Sequence, residues 1–179
     1  MSFTPEPGTP LAAYYAETAP RTGTVLSRRS LGNLDAVTIG RYAMTIAAAD
    51  ASHYDRQAAR AAGYADVVAP PNLLAAMVEW GIGTPEAELQ PDGTPSEGEI
   101  PLGDGLRVMG AGEEMELVNP VTAGIEIVLE TTLESVTAKQ TRAGTCVFVT
   151  TLNTFTSAEG EVLNRNRRTV VLRNPVEES

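Results

Sequence analysis

The sequence predicts an α+β fold in which an antiparallel sheet of about five strands wraps around one buried helix. A single helical stretch in the first half is apolar on nearly every side, which indicates a helix surrounded by protein. Four later stretches alternate or run β-branched, as half-buried strands do. A chain of 179 residues is long enough for one domain with a proper core. The four predicted strands cover residues 107–118, 125–138, 145–157 and 161–173.

The N-terminal part predicts an arm and the first strand. Residues 1–22 are rich in proline and are expected to form a loose arm, apart from a short helical turn at residues 11–17. Residues 23–29 can form the first strand. The single domain is expected to span residues 23–174, which leaves residues 175–179 as a tail.

Two helices are predicted between the first strand and the apolar helix. Asn33 or Asp35 can cap a helix that runs to about Ala48, because short polar side chains accept hydrogen bonds from first-turn amides. Asp55 can cap a second, shorter helix through Arg60. The apolar face of the longer helix repeats at helical spacing and consists of Ile39, Tyr42, Ala43 and Ile46.

The apolar helix is predicted over residues 71–82 and becomes the central helix of the fold. It begins at Pro70 or Pro71, where proline is tolerated because first-turn amides have no partner within the helix. Residues 81–105 are rich in proline, glycine and acidic residues and indicate a long irregular loop. The apolar side chains of the helix are Leu73, Leu74, Met77, Val78 and Trp80.

The composition excludes several classes of partner and site. Thirteen basic against 23 acidic residues give a net charge of -10, and such a surface repels phosphate backbones and anionic lipid. Nucleic acid and membrane partners are therefore not expected. Cys146 is the only cysteine, which excludes an internal disulfide and a cysteine-built zinc site. No secretory signal and no apolar run of the ~20 residues that cross a bilayer are present, so a cytoplasmic protein is expected.

Three stretches, which together cover most of the chain from about residue 20 to residue 174, carry a resemblance to a known family. They are Tyr42–Asp55, Gly63–Pro71 and Thr156–Arg173. In these stretches the sequence resembles the MaoC-like dehydratases of the hot-dog fold. The resemblance is to the branch of short single domains that includes subunits of two-component hydratases.

The resemblance implies an acyl thioester as substrate, carried by coenzyme A or by acyl carrier protein. Family members add water to a 2-enoyl thioester or remove it from a 3-hydroxyacyl thioester. An Asp–His pair orients and activates the water, and a backbone amide at the start of the central helix holds the thioester carbonyl. The positive end of the helix dipole supports the same carbonyl. The resemblance implies neither a cofactor nor a metal.

The sequence departs from the family motif Gly-Asp-x-Asn-Pro-x-His/Tyr-x-Asp at its catalytic acid. With His53 and Asp55 as anchors, the catalytic aspartate of the motif falls on Ala48, and its asparagine falls on Asp50. Active members often have His-Gly at the start of the central helix, whereas this chain has Pro-Pro, and Pro71 has no N–H to donate. The water-orienting carboxylate and one donor to the thioester carbonyl are both missing.

This double loss predicts the acyl-binding, catalytically depleted subunit of a heteromeric hydratase that acts on a bulky or long fatty or steroid side-chain thioester. A homologous subunit would supply the chemistry. One alternative is an active homodimeric hydratase that uses Asp50 and His53. A second is a protein that binds acyl thioesters without catalysing a reaction. A third is a hot-dog thioesterase, for which Glu79 is the only candidate carboxylate on the central helix.

His53 is the only histidine, so proton transfer by an imidazole must use it or come from another chain. It can also be a histidine that is hydrogen-bonded in a loop between helices. Asn72 is either a donor near the helix start or a solvent-facing residue. Arg165 and Arg167 are expected to contact coenzyme A phosphates or a partner subunit, or else to protect an edge strand by charge. The other candidate substrate-binding residues are Pro70, Pro71, Met77 and Trp80.

Overall fold

The structure is a computed structural model that describes residues 3–78, 85–89, 105–142 and 144–175. Within these residues it has the predicted α+β architecture. The α-helices are α1 (Pro10–Thr18), α2 (Ala36–Thr45), α3 (Arg56–Ala61) and α4 (Leu73–Met77). The strands are β1 (Val25–Asn33), β2 (Arg107–Leu117), β3 (Glu126–Thr141), β4 (Gly144–Ser157) and β5 (Val162–Arg173).

The five strands form one antiparallel sheet in the order β1-β3-β4-β5-β2. The four later strands match the predicted ranges to within three residues at each end, whereas β1 continues four residues beyond the predicted end. Because β2 pairs along its length with β5, the last strand lies inside the sheet. The expectation that the arginines of this strand protect a sheet edge is therefore wrong.

The N-terminal segment is packed against the sheet, which corrects the expectation of a loose arm. Thr9 caps α1, with its Oγ1 accepting a hydrogen bond from the N–H of Ala12. Leu11 of this helix is fully buried, and its N–H donates to Oδ1 of Asn174 at 3.0 Å. The helix was predicted, but its docking depends on contacts with the other end of the chain.

The two short helices α2 and α3 begin at the predicted caps. Asp35 accepts from the amides of the first turn of α2, and Asp55 does the same for α3. Helix α2 ends at Thr45, three residues before the predicted end, because Ala47 adopts a left-handed conformation with φ 54°. Ile46 consequently lies outside the helix and is exposed instead of joining its buried face.

Helix α4 lies across one face of the sheet, which we call the inner face. Nδ2 of Asn164 on β5 contacts the carbonyl oxygen of Pro71, just before the helix, at 3.4 Å. Arg29 on β1 donates to the carbonyl oxygen of Val78, just after it. The helix therefore crosses the inner face from β5 towards β1. It begins two residues later than predicted, and residues 79–82 of the prediction lie outside the described residues.

Two apolar clusters cover the inner face. The first, the α4 cluster, joins α4 to the sheet and contains Leu73, Leu74, Met77, Ile127, Leu129, Phe155 and Leu163, among others. The second, the α1 cluster, joins α1 to the other end of the sheet and contains Leu11, Tyr14, Leu133, Val147, Val149 and Leu172, among others. No helix in the described part of the chain is long and apolar enough to span a membrane.

Candidate functional site

His53 is held by the backbone of the chain segment that leads to α4. Its Nδ1 lies 2.7 Å from the carbonyl oxygen of Val68, while the N–H of Val68 donates to the carbonyl of Ser52. A carbonyl can only accept, so Nδ1 of the neutral ring carries the hydrogen and Nε2 carries the lone pair. The ring is half-buried. A backbone carbonyl therefore orients the imidazole at the position where a family hydratase would have its base.

Asp50 is engaged in a local cap and is exposed. Its Oδ1 accepts from the N–H of Ser52 at 2.8 Å and so caps the single 3-10 turn of residues 51–53. This backbone hydrogen bond, then the Ser52 side chain and the nearby charge of His53, lower the pKa of the Asp50 carboxyl. The carboxylate is therefore anionic at neutral pH, but its hydrogen bond goes to a backbone amide.

The backbone just before Ala48 has an unusual conformation at the position where the family motif has its glycine. The motif places its glycine one residue before the aspartate, which is Ala47 in this chain, and Ala47 has the left-handed φ that glycine adopts most easily. Ala48 follows with a methyl group where the motif has a carboxylate. The hydroxyl of Tyr54 donates to the carbonyl oxygen of Ala48 at 2.7 Å and closes the segment. Ala47 was not predicted from the sequence as a residue of interest.

The start of the central helix offers few donors for a thioester carbonyl. Pro70 is buried and Pro71 is exposed, and neither has an N–H. The N–H of Leu73 donates to the carbonyl of Pro70 at 3.0 Å. Asn72 is exposed at the cap position without a side-chain cap hydrogen bond, and its carbonyl oxygen lies 3.4 Å from the hydroxyl of Tyr42. Asn72 therefore faces solvent, next to a surface cavity of about 300 Å³ beside α2.

The other predicted residues of the central helix divide between core and undescribed chain. Met77 is 4% exposed and packs in the α4 cluster, so its place is in the core of the inner face. Trp80 and Glu79 lie outside the described residues. The structure thus brings together Pro70, Pro71, Asn72 and Met77 at α4, and it places His53 against the chain that enters this helix.

Comparison with known proteins identifies the family. The family described as FAS1-like, dehydratase domain region, matches residues 24–165. The chain belongs to this family. A UPF0336 protein of Parafrankia sp. (strain EAN1pec) is 31% identical over 135 residues, which are 75% of this chain and 80% of that protein.

Solved structures agree with this assignment. This chain is similar in fold to a chain in the ChsH1-ChsH2 complex from Mycobacterium tuberculosis. The TM-score is 0.69 at 18% identity, over 94% of this chain and 98% of that chain. The MaoC-like dehydratase from Rhodospirillum rubrum gives a TM-score of 0.59 at 25% identity over 87% and 94% of the two chains. The predicted hot-dog fold and MaoC-like relationship are confirmed.

The two arginines predicted to bind substrate lie on the outer face of the sheet, opposite α4. Arg165 pairs with Glu116 at 3.0 Å. Arg167 contacts Glu134 at 2.8 Å and Glu114 at 3.7 Å. The hydrogen bond that Arg167 donates to Glu134 also raises the pKa of the Arg167 guanidinium. Both charges are therefore balanced by glutamates of β2 and β3 on the outer face, away from the central helix.

Polar side chains on the inner face form a feature that the sequence did not predict. Four of them, at most 2% exposed, cross the middle of the sheet, and we call them the inner polar row. Their strand registers place them on one face because residues opposite each other in antiparallel strands share a face. The row consists of Thr131, Asn153, Asn164 and Asn166.

The inner polar row is only partly hydrogen-bonded. Oγ1 of Thr131 donates to Oδ1 of Asn153 at 2.8 Å, and Nδ2 of Asn166 donates to a carboxylate oxygen of Glu113 at 2.6 Å. Oδ1 of Asn164 and Oδ1 of Asn166 are buried without a hydrogen-bond partner. Within the described residues, no three His, Cys, Asp or Glu side chains are grouped so that they could hold a metal ion.

Proposed function

We propose that this chain is the acyl-binding, catalytically depleted subunit of a heteromeric hydratase or dehydratase for an acyl thioester. The observation that carries the proposal is the backbone of the motif segment, in which Ala47 keeps the left-handed conformation while Ala48 replaces the acid. The left-handed residue at the motif's glycine position and the methyl group at its aspartate position together support a motif that has lost its acid.

One further observation supports the loss of the acid. Oδ1 of Asp50 is bonded to the backbone amide of Ser52, whereas the bond from Nδ1 of His53 to a backbone carbonyl leaves the Nε2 lone pair of that ring able to accept a proton. An acid–base pair needs its acid and its base directed at the same water molecule. We therefore place the loss in this chain at the acid and not at the imidazole.

The start of α4 supports the loss of the second catalytic element. Stabilising the oxyanion form of a thioester requires donors aimed at its oxygen. Pro71 has no N–H, and the N–H of Leu73 is bonded to the carbonyl of Pro70. The apolar side chains of α4 pack in the core directly after this point, and we place the acyl chain beside them.

A homologous subunit would supply the acid, the base and the oxyanion donor. One chain of the ChsH1-ChsH2 complex shares the fold of this protein along nearly its whole length, and that protein is a complex of two named components. We infer the same kind of assembly here, with a bulky or long fatty or steroid side-chain acyl group carried by coenzyme A or by acyl carrier protein. An intracellular location follows from such a substrate.

The test is a hydration assay on three samples: this chain alone, a homologous subunit with an intact Gly-Asp-x-Asn-Pro-x-His segment alone, and the two co-expressed. The assay follows loss of the enoyl thioester absorbance. We expect turnover only in the co-expressed pair. His53→Ala in this chain should leave that turnover unchanged, while the same change in the histidine of the partner should abolish it.

Other results would identify the alternatives. Hydration by this chain alone, lost in Asp50→Asn and in His53→Ala, would establish a homodimeric hydratase and overturn the proposal. Tight thioester binding with no rate increase in any pairing would indicate a protein that only binds acyl thioesters. Release of free thiol would indicate a thioesterase.

A further inference from the structure

The two unpartnered amide oxygens of the inner polar row have orientations fixed by their neighbours. Asn164 faces the carbonyl oxygen of Pro71, which can only accept, so its NH2 group must point there. Asn166 faces the carboxylate of Glu113, which also accepts, so its NH2 group points to Glu113. In both residues the oxygen must therefore point away from the group that holds the nitrogen.

Leaving these two oxygens without donors is unfavourable. Asn164 is 2% exposed and Asn166 is 0% exposed, and each Oδ1 lacks a hydrogen-bond partner. A buried acceptor without a donor has lost its hydrogen bonds to water and gained none in the protein, whereas apolar side chains of similar shape carry no such cost. Two such positions on one face suit a ligand that brings donors.

The positions of the two oxygens relate them to the acyl group. Asn164 contacts Pro71 at the start of α4, where the proposed function places the thioester. Asn166 lies two residues along the same strand face, which corresponds to about 6.6 Å of strand length. The row lies between the α4 cluster and the α1 cluster, so apolar walls flank polar acceptors. An unsubstituted alkyl chain has no donor to offer them.

We propose that the amide oxygen of Asn164 or that of Asn166 accepts a hydrogen bond from a hydroxyl group on the acyl chain, so that this subunit selects hydroxylated acyl thioesters over unsubstituted ones. The inference rests on the proposed function, because it assumes that an acyl thioester binds at α4. It concerns a hydroxyl beyond the carbons that react, distinct from the 3-hydroxyl of the reaction itself. The hydroxyl donates to an amide oxygen that is otherwise buried without a partner.

The test measures dissociation constants of the full chain by titration calorimetry. The probes are decanoyl-CoA and a series of hydroxydecanoyl-CoA isomers with the hydroxyl at successive carbons from the fifth to the tenth. We expect at least one isomer to bind about tenfold or more tightly than decanoyl-CoA, since a donor to a buried acceptor contributes roughly 1–3 kcal/mol. Isomers with the hydroxyl elsewhere should bind no better than decanoyl-CoA.

Two variants assign the preference to the amides. Asn166→Leu and Asn164→Leu are measured separately, and the variant that removes the amide in contact with the hydroxyl should reduce the preference for the favoured isomer to less than about twofold while decanoyl-CoA still binds. Thr154→Val, on the outer face of β4 and half-buried, is the matched control and should leave the preference unchanged. A purely structural row would alter the melting temperature in the leucine variants without altering the ratio of the two dissociation constants.

Three outcomes would overturn the inference. If decanoyl-CoA binds as tightly as every hydroxylated isomer, the inference fails while the proposed function stands. If the preference persists in both leucine variants, the amides are not its cause. If no acyl-CoA binds at all, the proposed function fails together with the inference. The ligand series on the unmodified chain decides the question even where a leucine variant does not fold.

Discussion

The segment of residues 47–55 and the inner polar row both place polar groups near α4, but they satisfy them differently. In the segment, Asp50 bonds to Ser52, His53 bonds to Val68 and Tyr54 bonds to Ala48. In the row, Asn164 and Asn166 each use their nitrogen and leave a buried oxygen without a donor. The polar groups named in the segment are bonded to backbone groups, whereas two buried amide oxygens of the row have no donor.

This difference separates binding from chemistry. A residue that activates water must keep its proton-transfer atoms directed at the substrate, and much of the polar capacity of the segment is taken by backbone groups. Buried acceptors inside an apolar surround gain most from a donor that arrives with a ligand. This contrast is what we expect of a subunit that binds an acyl group and leaves its hydration to a partner, as proposed above.

The largest effect is expected where the inner polar row meets the apolar core. Phe155 is fully buried, packs in the α4 cluster and lies opposite Asn164 in the strand register. Phe155→Ala should lower the free energy of unfolding by about 3–5 kcal/mol, because it removes a large buried ring and leaves a cavity. Urea denaturation followed by circular dichroism measures this change.

The matched control is Phe148→Ala on the opposite face of the same strand. Phe148 is half-buried, and Nζ of Lys139 lies 5.1 Å from its ring centroid. This change should cost about 1–2 kcal/mol, since less apolar surface returns to water. Equal losses in the two variants would contradict the assignment of the inner face as the core.

The next effect tests the segment of residues 47–55, and here the substitution should raise the free energy of unfolding. Ala47→Gly should raise the free energy of unfolding by about 0.5–1 kcal/mol. The left-handed conformation disfavours alanine by roughly 1–2 kcal/mol, and the greater entropy of glycine in the unfolded chain offsets part of the gain. Thermal melting at a fixed scan rate measures the shift.

Ala49→Gly is the control for this prediction. Ala49 is exposed, and the only described non-glycine residue with positive φ is Ala47. Glycine at position 49 should be neutral or destabilising by up to about 1 kcal/mol. A loss of stability in Ala47→Gly would show that the backbone of the motif segment is not retained in solution.

A smaller effect is expected from the charges on the outer face. Arg167 and Glu134 are each about one third exposed, with side-chain values of 35% and 33%. A double-mutant cycle of Arg167→Met and Glu134→Gln should give a coupling energy of about 0.2–1 kcal/mol that decreases with added salt. Because this pair lies away from α4, Arg167→Met should also leave the dissociation constant for acyl-CoA within about twofold.

A clear loss of acyl-CoA affinity in Arg167→Met, with stability unchanged, would restore the role predicted from the sequence. In that case the outer face would contact the carrier phosphates, and the glutamates would compete with them. Glu134→Gln should then increase the affinity. An ion pair that only stabilises the fold would change the acyl-CoA affinity in neither variant.

The sequence predicts the sheet well because alternation is a local signal. The starts and ends of β2, β4 and β5 agree with the structure to within one residue. The caps Asp35 and Asp55 were equally readable, since capping depends on residues within one helical turn. The fold class and family followed from these local patterns.

The features that the sequence did not predict depend on distant contacts. Docking of α1 requires Asn174, which lies 163 residues after Leu11 in the chain. The amide of Asn166, whose oxygen has no donor, takes its position from the strand register that brings this residue opposite Asn153 and next to Glu113. One local signal was available, because the strand alternates Asn and Arg over residues 164–167, and asparagine is depleted in strands.

The smallest effect concerns the carboxylate of Asp50 in the segment of residues 47–55, and it disappears at low pH. The folded chain lowers the pKa of Asp50, chiefly through the Ser52 amide, so the unfolded chain binds this proton more readily. The stabilisation from Asp50 is therefore fully present above the ordinary carboxyl pKa of about 3.9 and is lost as pH falls through the lower folded value. Asp50→Asn should melt below the unmodified chain at pH 7, and the gap should close below about pH 4. Melting curves across this range measure the gap. A gap that widens on acidification would mean that the carboxylate destabilises the fold, and the cap would then not be its role.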